Sequence, residues 1–238
     1  MDPKKIVIAV VLVIVVYIVL RLIFDSPSKA NLVGLHNAKH PLIIPESKLK
    51  NEKNDYAYSI WVYINEWNHN YGEEKVIFSR KTSRGTENKF SPKVYLANDT
   101  NDLIAHIDTE GSSEPFLCRA KNIPLQKWTH VLITTYNNAI DIYIDGKLVK
   151  SCLMPGVPIS AKGNDILLTP NVANGNEGSF SGFTRQFQFY SKALNPREVY
   201  EIYKSGPKGG FNIGSLFDRY KMKFSFLKDN IEINSLEI

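Results

Sequence analysis

Apolar and polar positions alternate along most of the chain in short, turn-bounded stretches, and that period predicts strands. From Tyr56 onward the period is two: Tyr58, Ile60, Val62 and Ile64 interleave with Ser59, Trp61 and Tyr63. Both sets are largely apolar or aromatic, which predicts a central strand covered on both faces. Further strands are predicted at Lys75–Arg80, Lys93–Ala97, Leu103–Asp108, Phe116–Ala120, Trp128–Tyr136, Ala139–Ile144, Lys147–Leu153, Asp165–Thr169 and Thr184–Tyr190. Leu42–Ile44 is a candidate first edge strand. Asp145-Gly146 joins two of these runs, and both residue types tolerate the positive φ of a two-residue hairpin turn. Many short strands with regular turns predict an all-β, two-sheet antiparallel sandwich.

Two segments break the pattern. Ile6–Leu20 is an unbroken apolar run, followed by Arg21 and then Leu22, Ile23 and Phe24. As a helix, Ile6–Phe24 would span about 28 Å, close to the hydrocarbon thickness of a bilayer. This predicts an N-terminal transmembrane helix and a single-pass membrane protein with the lipid bilayer as one partner. A cleaved signal peptide ending at Ser28-Lys29-Ala30 is the competing interpretation, but the apolar core is long for a signal and ends in Arg21. Lys4 and Lys5 on one side, against Arg21 and Lys29 on the other, leave the orientation open. The second segment is a short C-terminal helix. Asn195 is a good N-cap, Pro196 suits the first helical position, Glu198 completes a capping box, and Ser205-Gly206-Pro207 ends it.

These elements divide the chain into an anchor (1–25), a stalk carrying Pro27, Pro41 and Pro45 (26–54), a sandwich (55–206) and a tail (207–238). In the tail, Lys221–Leu227 and Ile231–Leu236 flank Lys228-Asp229-Asn230 as a terminal hairpin. Met222, Phe224 and Phe226 would share one face there, and they are candidate partner contacts.

Composition narrows the function classes. Of 238 residues, 29 are Lys or Arg and 24 are Asp or Glu, a net charge of +5. That excess is small and scattered, so no nucleic-acid partner is expected. Two cysteines exclude a disulfide-rich scaffold and a zinc finger.

Trp128-Thr129-His130-Val131, followed by the run from Ile140 to Val149, resembles the core signature of laminin G-like domains. Phe183 to Tyr190, followed by Ala193-Leu194-Asn195-Pro196-Arg197-Glu198, is similar to the strand-then-helix ending of the same group. The resemblance covers roughly Tyr56 to Gly206 and implies a jelly roll of the concanavalin A-like lectin and glucanase type. Its matched residues are packing and turn residues, so it specifies fold more than function. The wider layout combines the anchor, Asn37–Lys39, Ser59-Ile60-Trp61-Val62-Tyr63 and Phe217-Asp218-Arg219-Tyr220-Lys221. It resembles membrane-anchored laminin G-like proteins of large eukaryotic DNA viruses. That likeness implies a virion or membrane component linking membrane to shell, with capsid or membrane proteins as partners.

Candidate chemistry is sparse. Glycosidases need two carboxylates facing one bond. The nearest pair, Asp141 and Asp145, shares a strand face, but Asp145 belongs to the hairpin turn. No enzyme and no catalytic residue are expected. The histidines (His36, His40, His69, His106 and His130) are scattered, and His130 reads as a structural residue of a buried strand. No cofactor is expected, calcium being the one candidate metal, through Asp165, Asn171, Asn174, Asn176 and Glu177; loops are also simply rich in Asn. For glycan binding, Trp67, Asn68, Asn70 and Tyr71 supply aromatic faces and amides on one loop. The alternative is a loop whose aromatics fold back onto the core. Cys118 and Cys152 fit either a disulfide or buried thiols. Asn98-Asp99-Thr100 is the chain's single glycosylation sequon. The sequence therefore points to a non-catalytic recognition or scaffolding module held at a membrane, with a glycan-binding lectin as the alternative.

Overall fold

The computed structural model describes residues 11–17, 28–49, 51–82, 89–171 and 179–208, with the backbone of two strands beyond them. Strand β1 (Lys29–Val33) and β2 (His36–Asn37) come first, then β3 (Leu42–Ile44) and a 3-10 turn at Glu46–Lys48. There follow β4 (Ala57–Glu66), β5 (Lys75–Lys81), β6 (Phe90–Leu96), β7 (Leu103–Ile107) and β8 (Phe116–Ala120). The rest are β9 (Thr129–Tyr136), β10 (Ala139–Ile144), β11 (Lys147–Leu153), β12 (Ile166–Leu168), β13 (Ser181–Tyr190) and helix α1 (Pro196–Lys204). They form two antiparallel sheets. The first has the order β1-β13-β4-β9-β10-β11, with β2 also on β13; the second runs β3-β12-β5-β6-β7-β8. Beyond α1, β14 (Lys223–Lys228) and β15 (Ile231–Glu237) pair as an antiparallel hairpin.

The period-two pattern explains the core. Tyr58, Ile60, Val62 and Ile64 of β4 face inward beside Val131 and Ile133 of β9 and Ile140 and Ile142 of β10. Ile77, Val94, Leu96, Leu103, Ala105, Ile166 and Leu168 meet them from the second sheet. Each such large aliphatic side chain contributes roughly 1.5–3 kcal/mol by leaving water. Cys118 on β8 and Cys152 on β11 are joined as a disulfide, which ties the two sheets together at one edge. The β10–β11 turn is the two-residue Asp145-Gly146, with φ of 49° and 74°.

The structure revises three expectations. The predicted stalk is part of the sandwich: Leu42–Ile44 is the edge strand expected there and pairs with β12, and β1 adds an unexpected strand by pairing with β13. Only Leu32 is buried within β1, too few to give a readable period. Strand β6 begins three residues earlier than expected, running through Pro92 behind a cis Ser91–Pro92 bond; proline discourages a strand assignment because it donates nothing to a ladder. The outer face of β4, expected to be covered throughout, is covered over only part of its length.

Of the predicted anchor, residues 11–17 are described, and they are helical and exposed. No helix among the described residues is long and apolar enough to cross a membrane. The remainder of Ile6–Phe24, and Met222, lie outside the described residues, as do the side chains of Phe224 and Phe226.

Candidate functional site

Helix α1 decides which part of the first sheet stays open. Its capping box forms: Glu198 N–H donates to the Asn195 side chain at 3.0 Å, and Asn195 N–H donates to the Glu198 carboxylate at 2.9 Å. Val199 then packs on Ala57, Leu132, Tyr143, Tyr190 and Leu194. Tyr203 stacks on Trp61, with ring centroids 5.7 Å apart, and lies 6.0 Å from the His130 ring. Gly146 is required beneath it, since a Cβ there would stand 2.9 Å from the Tyr203 ring. A nine-residue helix is about 13 Å long, whereas a ten-residue strand extends about 33 Å. The rest of the outer face is left uncovered.

There the sheet carries an open groove of about 340 Å³ lined by Leu35, Tyr63, Trp128, Phe183 and Arg185. Tyr63 continues the outward set of β4, and Phe183 lies opposite it on β13. Arg185 lies opposite Trp61, and Gln188 opposite Ser59, so β13 spends one extra residue between these pairs. Gln186 sits in that bulge with φ of 52°. The extra residue switches the faces: Phe183 and Arg185 point outward, whereas Phe187 and Phe189 point into the core. Gly182 lets β13 approach closely, since a Cβ there would fall 2.0 Å from the Tyr63 carbonyl oxygen. Trp128 enters from the segment before β9, where Gln126 N–H donates to the Ile64 carbonyl at 3.0 Å. Its ring centroid is 5.7 Å from that of Tyr63. Phe183 and Leu35 are 42% and 61% exposed. Among the described residues, Arg185 has no ion-pair partner, and neither the Trp128 indole N–H nor the Tyr63 hydroxyl has a hydrogen bond. The groove thus combines apolar ring faces with unspent donors.

The predicted rim loop is arranged differently. Trp67 is half-buried against the core, and the Lys75 ammonium lies 4.4 Å from its ring centroid. Lys75 is itself buried; it donates to the Asn70 carbonyl at 3.4 Å, and burial lowers its pKa. Asn70 donates to the Ser179 carbonyl at 3.5 Å. One face of Trp67 is therefore occupied, while Asn68 and Tyr71 are exposed.

A second cavity, about 220 Å³, opens at the other end of the sandwich beside Tyr56, Tyr58, Arg80 and Ser91. Its polar atoms are largely engaged. Arg80 forms a bidentate pair with Glu52 and donates to the Asn164 carbonyl at 2.8 Å. Burial raises the Tyr56 hydroxyl pKa and pushes that of Tyr58 up to about 12, so both stay protonated.

The remaining predicted groups fall as follows. Asp145 accepts from His130 N–H at 2.9 Å and pairs with Lys127 at 3.1 Å, while Asp141 accepts from the Ser151 hydroxyl. His130 is buried, with Nε2 2.8 Å from the Ser59 hydroxyl. In the predicted calcium loop, Asp165 accepts from Glu46 N–H at 2.9 Å and Asn171 is exposed; Asn174, Asn176 and Glu177 lie outside the described residues. Among the described residues no cluster of His, Cys, Asp and Glu is arranged to hold a metal.

Comparison with known proteins agrees with this architecture. Residues 37–200 match the laminin G-like family model described as the concanavalin A-like lectin/glucanases superfamily. A curated relative is the adhesion G-protein coupled receptor V1 of Danio rerio, 29% identical over 120 residues. The match takes in 46% of this chain and 2% of that receptor. Among solved structures, domain 4 of AbnA, a GH43 extracellular arabinanase from Geobacillus stearothermophilus, in complex with arabinotriose, superposes with a TM-score of 0.50. It is 20% identical, over 70% of this chain and 74% of that one. The binding domain of botulinum neurotoxin DC in complex with rat synaptotagmin II gives a TM-score of 0.51 at 20% identity, over 69% and 40% of the two chains. At these identities the structural likeness is one of fold.

Proposed function

The chain belongs to the laminin G-like family of the concanavalin A-like lectin/glucanases superfamily, and from that premise we propose that it is a non-catalytic recognition module held at a membrane. It captures a carbohydrate in the groove of Tyr63, Trp128, Phe183 and Arg185. The observation that carries this is the groove itself: the rings of Tyr63 and Phe183 on paired strands and of Trp128 just before β9, beside a guanidinium that has no ion-pair partner among the described residues. Ring faces pack against the C–H faces of a sugar, and unspent donors meet its oxygens. Similar domains bound to arabinotriose and to synaptotagmin support a binding role for this fold.

The strand directions suit a tether at the N-terminus. Ser28 leads into β1, whose Lys29 lies opposite Tyr190, itself opposite Ala57 at the start of β4. Tyr63 is six residues further along, about 20 Å at roughly 3.3 Å per residue. With Ile6–Phe24 as the anchor, the groove would face away from the bilayer. The virion setting implied by the layout would add shell or membrane proteins as partners, and the exposed Leu35 and Phe183 favour such a contact as the second reading.

Detergent-solubilised full-length protein on a glycan array tests the proposal. Trp128→Ala and Arg185→Ala should each weaken binding by at least about 2 kcal/mol, roughly thirty-fold in Kd. Tyr71→Ala should leave it intact. Binding lost with Tyr71→Ala but kept with Trp128→Ala moves the site to the rim loop. Silence across the array, with capture of a protein abolished by Trp128→Ala, selects the protein partner.

A further inference from the structure

We infer that Asn98 carries an N-linked glycan and that the sandwich matures in an oxidising, luminal compartment. Asn98-Asp99-Thr100 lies in the loop between β6 and β7, and all three residues are exposed. The base of this loop is fixed. Leu96 lies opposite Leu103, and Ala97 N–H donates to the Asp102 carbonyl at 3.0 Å. Asn101 donates to the Ile123 carbonyl at 2.8 Å, and Asp102 accepts from Asn122 N–H at 3.0 Å. The tip is outside this network, and the Asn98 amide has no hydrogen-bond partner among the described residues. An oligosaccharide on its nitrogen would project into solvent and displace no packed group.

The second observation is independent of the first. Cys118 and Cys152 are joined across the edges of the two sheets. Such bridges persist in secretory and extracellular compartments and are rare in the cytosol. Asparagine glycosylation of Asn-x-Ser/Thr belongs to the same compartments. The modification is a group transfer from a lipid-pyrophosphate-linked oligosaccharide. The Asn98 amide nitrogen bonds to the anomeric carbon, and the bond from that carbon to the pyrophosphate oxygen breaks. The amide proton passes to the transferase, and the lipid pyrophosphate leaves. Asn98 lies on a loop joining two strands of the second sheet, whereas the recognition groove lies on the first, so the glycan would leave the groove open.

Expression of the full-length chain in eukaryotic cells tests this. Treatment with peptide N-glycosidase should produce one downward step in electrophoretic mobility, with Asn98 converted to Asp in the peptide released for mass spectrometry. Asn98→Gln and Thr100→Ala should both abolish the step, and Thr100→Ser should keep it. A non-reducing gel of each variant reports the Cys118–Cys152 bridge, and hence folding. Membrane-integrated protein with no enzyme-sensitive step overturns the inference, whether or not the bridge has formed. A step that survives both Asn98→Gln and Thr100→Ala also overturns it. Neither result would bear on ligand binding in the groove.

Discussion

Acidification should destabilise this sandwich through one imidazole. His130 is fully buried beneath α1, between Trp61, 5.1 Å away, and Tyr203. Its Nε2 is satisfied by the Ser59 hydroxyl at 2.8 Å, while Nδ1 is buried without a partner among the described residues. A neutral ring tolerates this by leaving a lone pair bare. A protonated ring would place an N–H there with no acceptor, inside a low-dielectric site. Burial therefore lowers the His130 pKa from 6.5 to about 4, and the nearby Asp145 only partly opposes this. The unfolded chain takes up the proton near 6.5 and the folded chain only near 4. Between those values the unfolded state binds more protons, so stability falls as pH falls. The contribution is complete above about pH 6.5 and is lost progressively down to about pH 4. At about 1.4 kcal/mol per pH unit, the loss is about 3 kcal/mol. Urea denaturation of the purified protein at pH 7.5, 6, 5 and 4 measures it against His130→Gln, whose amide can still reach Ser59. The wild type should lose about 3 kcal/mol more than the variant across this range, since the other histidines titrate alike in both. A difference that stays flat with pH refutes the reasoning, as does an imidazole resonance of His130 that titrates near 6.5.

Three further outcomes are expected. Replacing Cys118 and Cys152 by Ser together opens a loop with a sequence separation of 34, and should lower unfolding free energy by about 3–4 kcal/mol in denaturant titrations. Glu52→Gln leaves Arg80, whose side chain is 1% exposed, without its counter-charge; thermal unfolding should report a loss of about 3 kcal/mol. Deleting residues 1–27 should preserve cooperative unfolding, whereas deleting residues 1–49 removes β1, β2 and β3 and should abolish it, as judged by near-UV circular dichroism.

The strands legible in the sequence are those whose inward residues form long runs. Tyr58-Ile60-Val62-Ile64 and Ile140-Ile142-Ile144 signal their faces unambiguously, and Asp145-Gly146 and Asn195-Pro196 mark a turn and a helix start by backbone chemistry alone. The strands hidden in the expected stalk, β1 and β2, carry no such run. Lys29–Val33 buries one residue, and its place depends on the distant partner β13, which local composition cannot reveal. Whether Cys118 and Cys152 form a bridge or stay as buried thiols is not legible locally; it is decided by the topology, which brings the edges of both sheets together.

The groove was hidden for a more specific reason. Phe183, Arg185, Phe187 and Phe189 are all two residues apart, so an unbroken period assigns them to one face. Had that held, either all three phenylalanines would be exposed or a guanidinium would be buried in the core. The bulge at Gln186 resolves this conflict by giving Arg185 and Phe183 to the outer face and Phe187 and Phe189 to the core. The sequence does carry a trace of it: a charged residue in phase with three aromatics on one strand is a frustrated pattern unless the phase slips. A second trace lies in β4, whose outward set from Ala57 through Ser59, Trp61 and Tyr63 to Asn65 spans about 26 Å, longer than the roughly 13 Å of a nine-residue helix. An aromatic left at the far end of such a strand, opposite a strand whose phase must slip, is where an open apolar shelf forms. Glycan recognition at that shelf would use Tyr63, Phe183 and Arg185 held on paired strands, with Trp128 packed against Tyr63, which lowers the ordering entropy a ligand must offset.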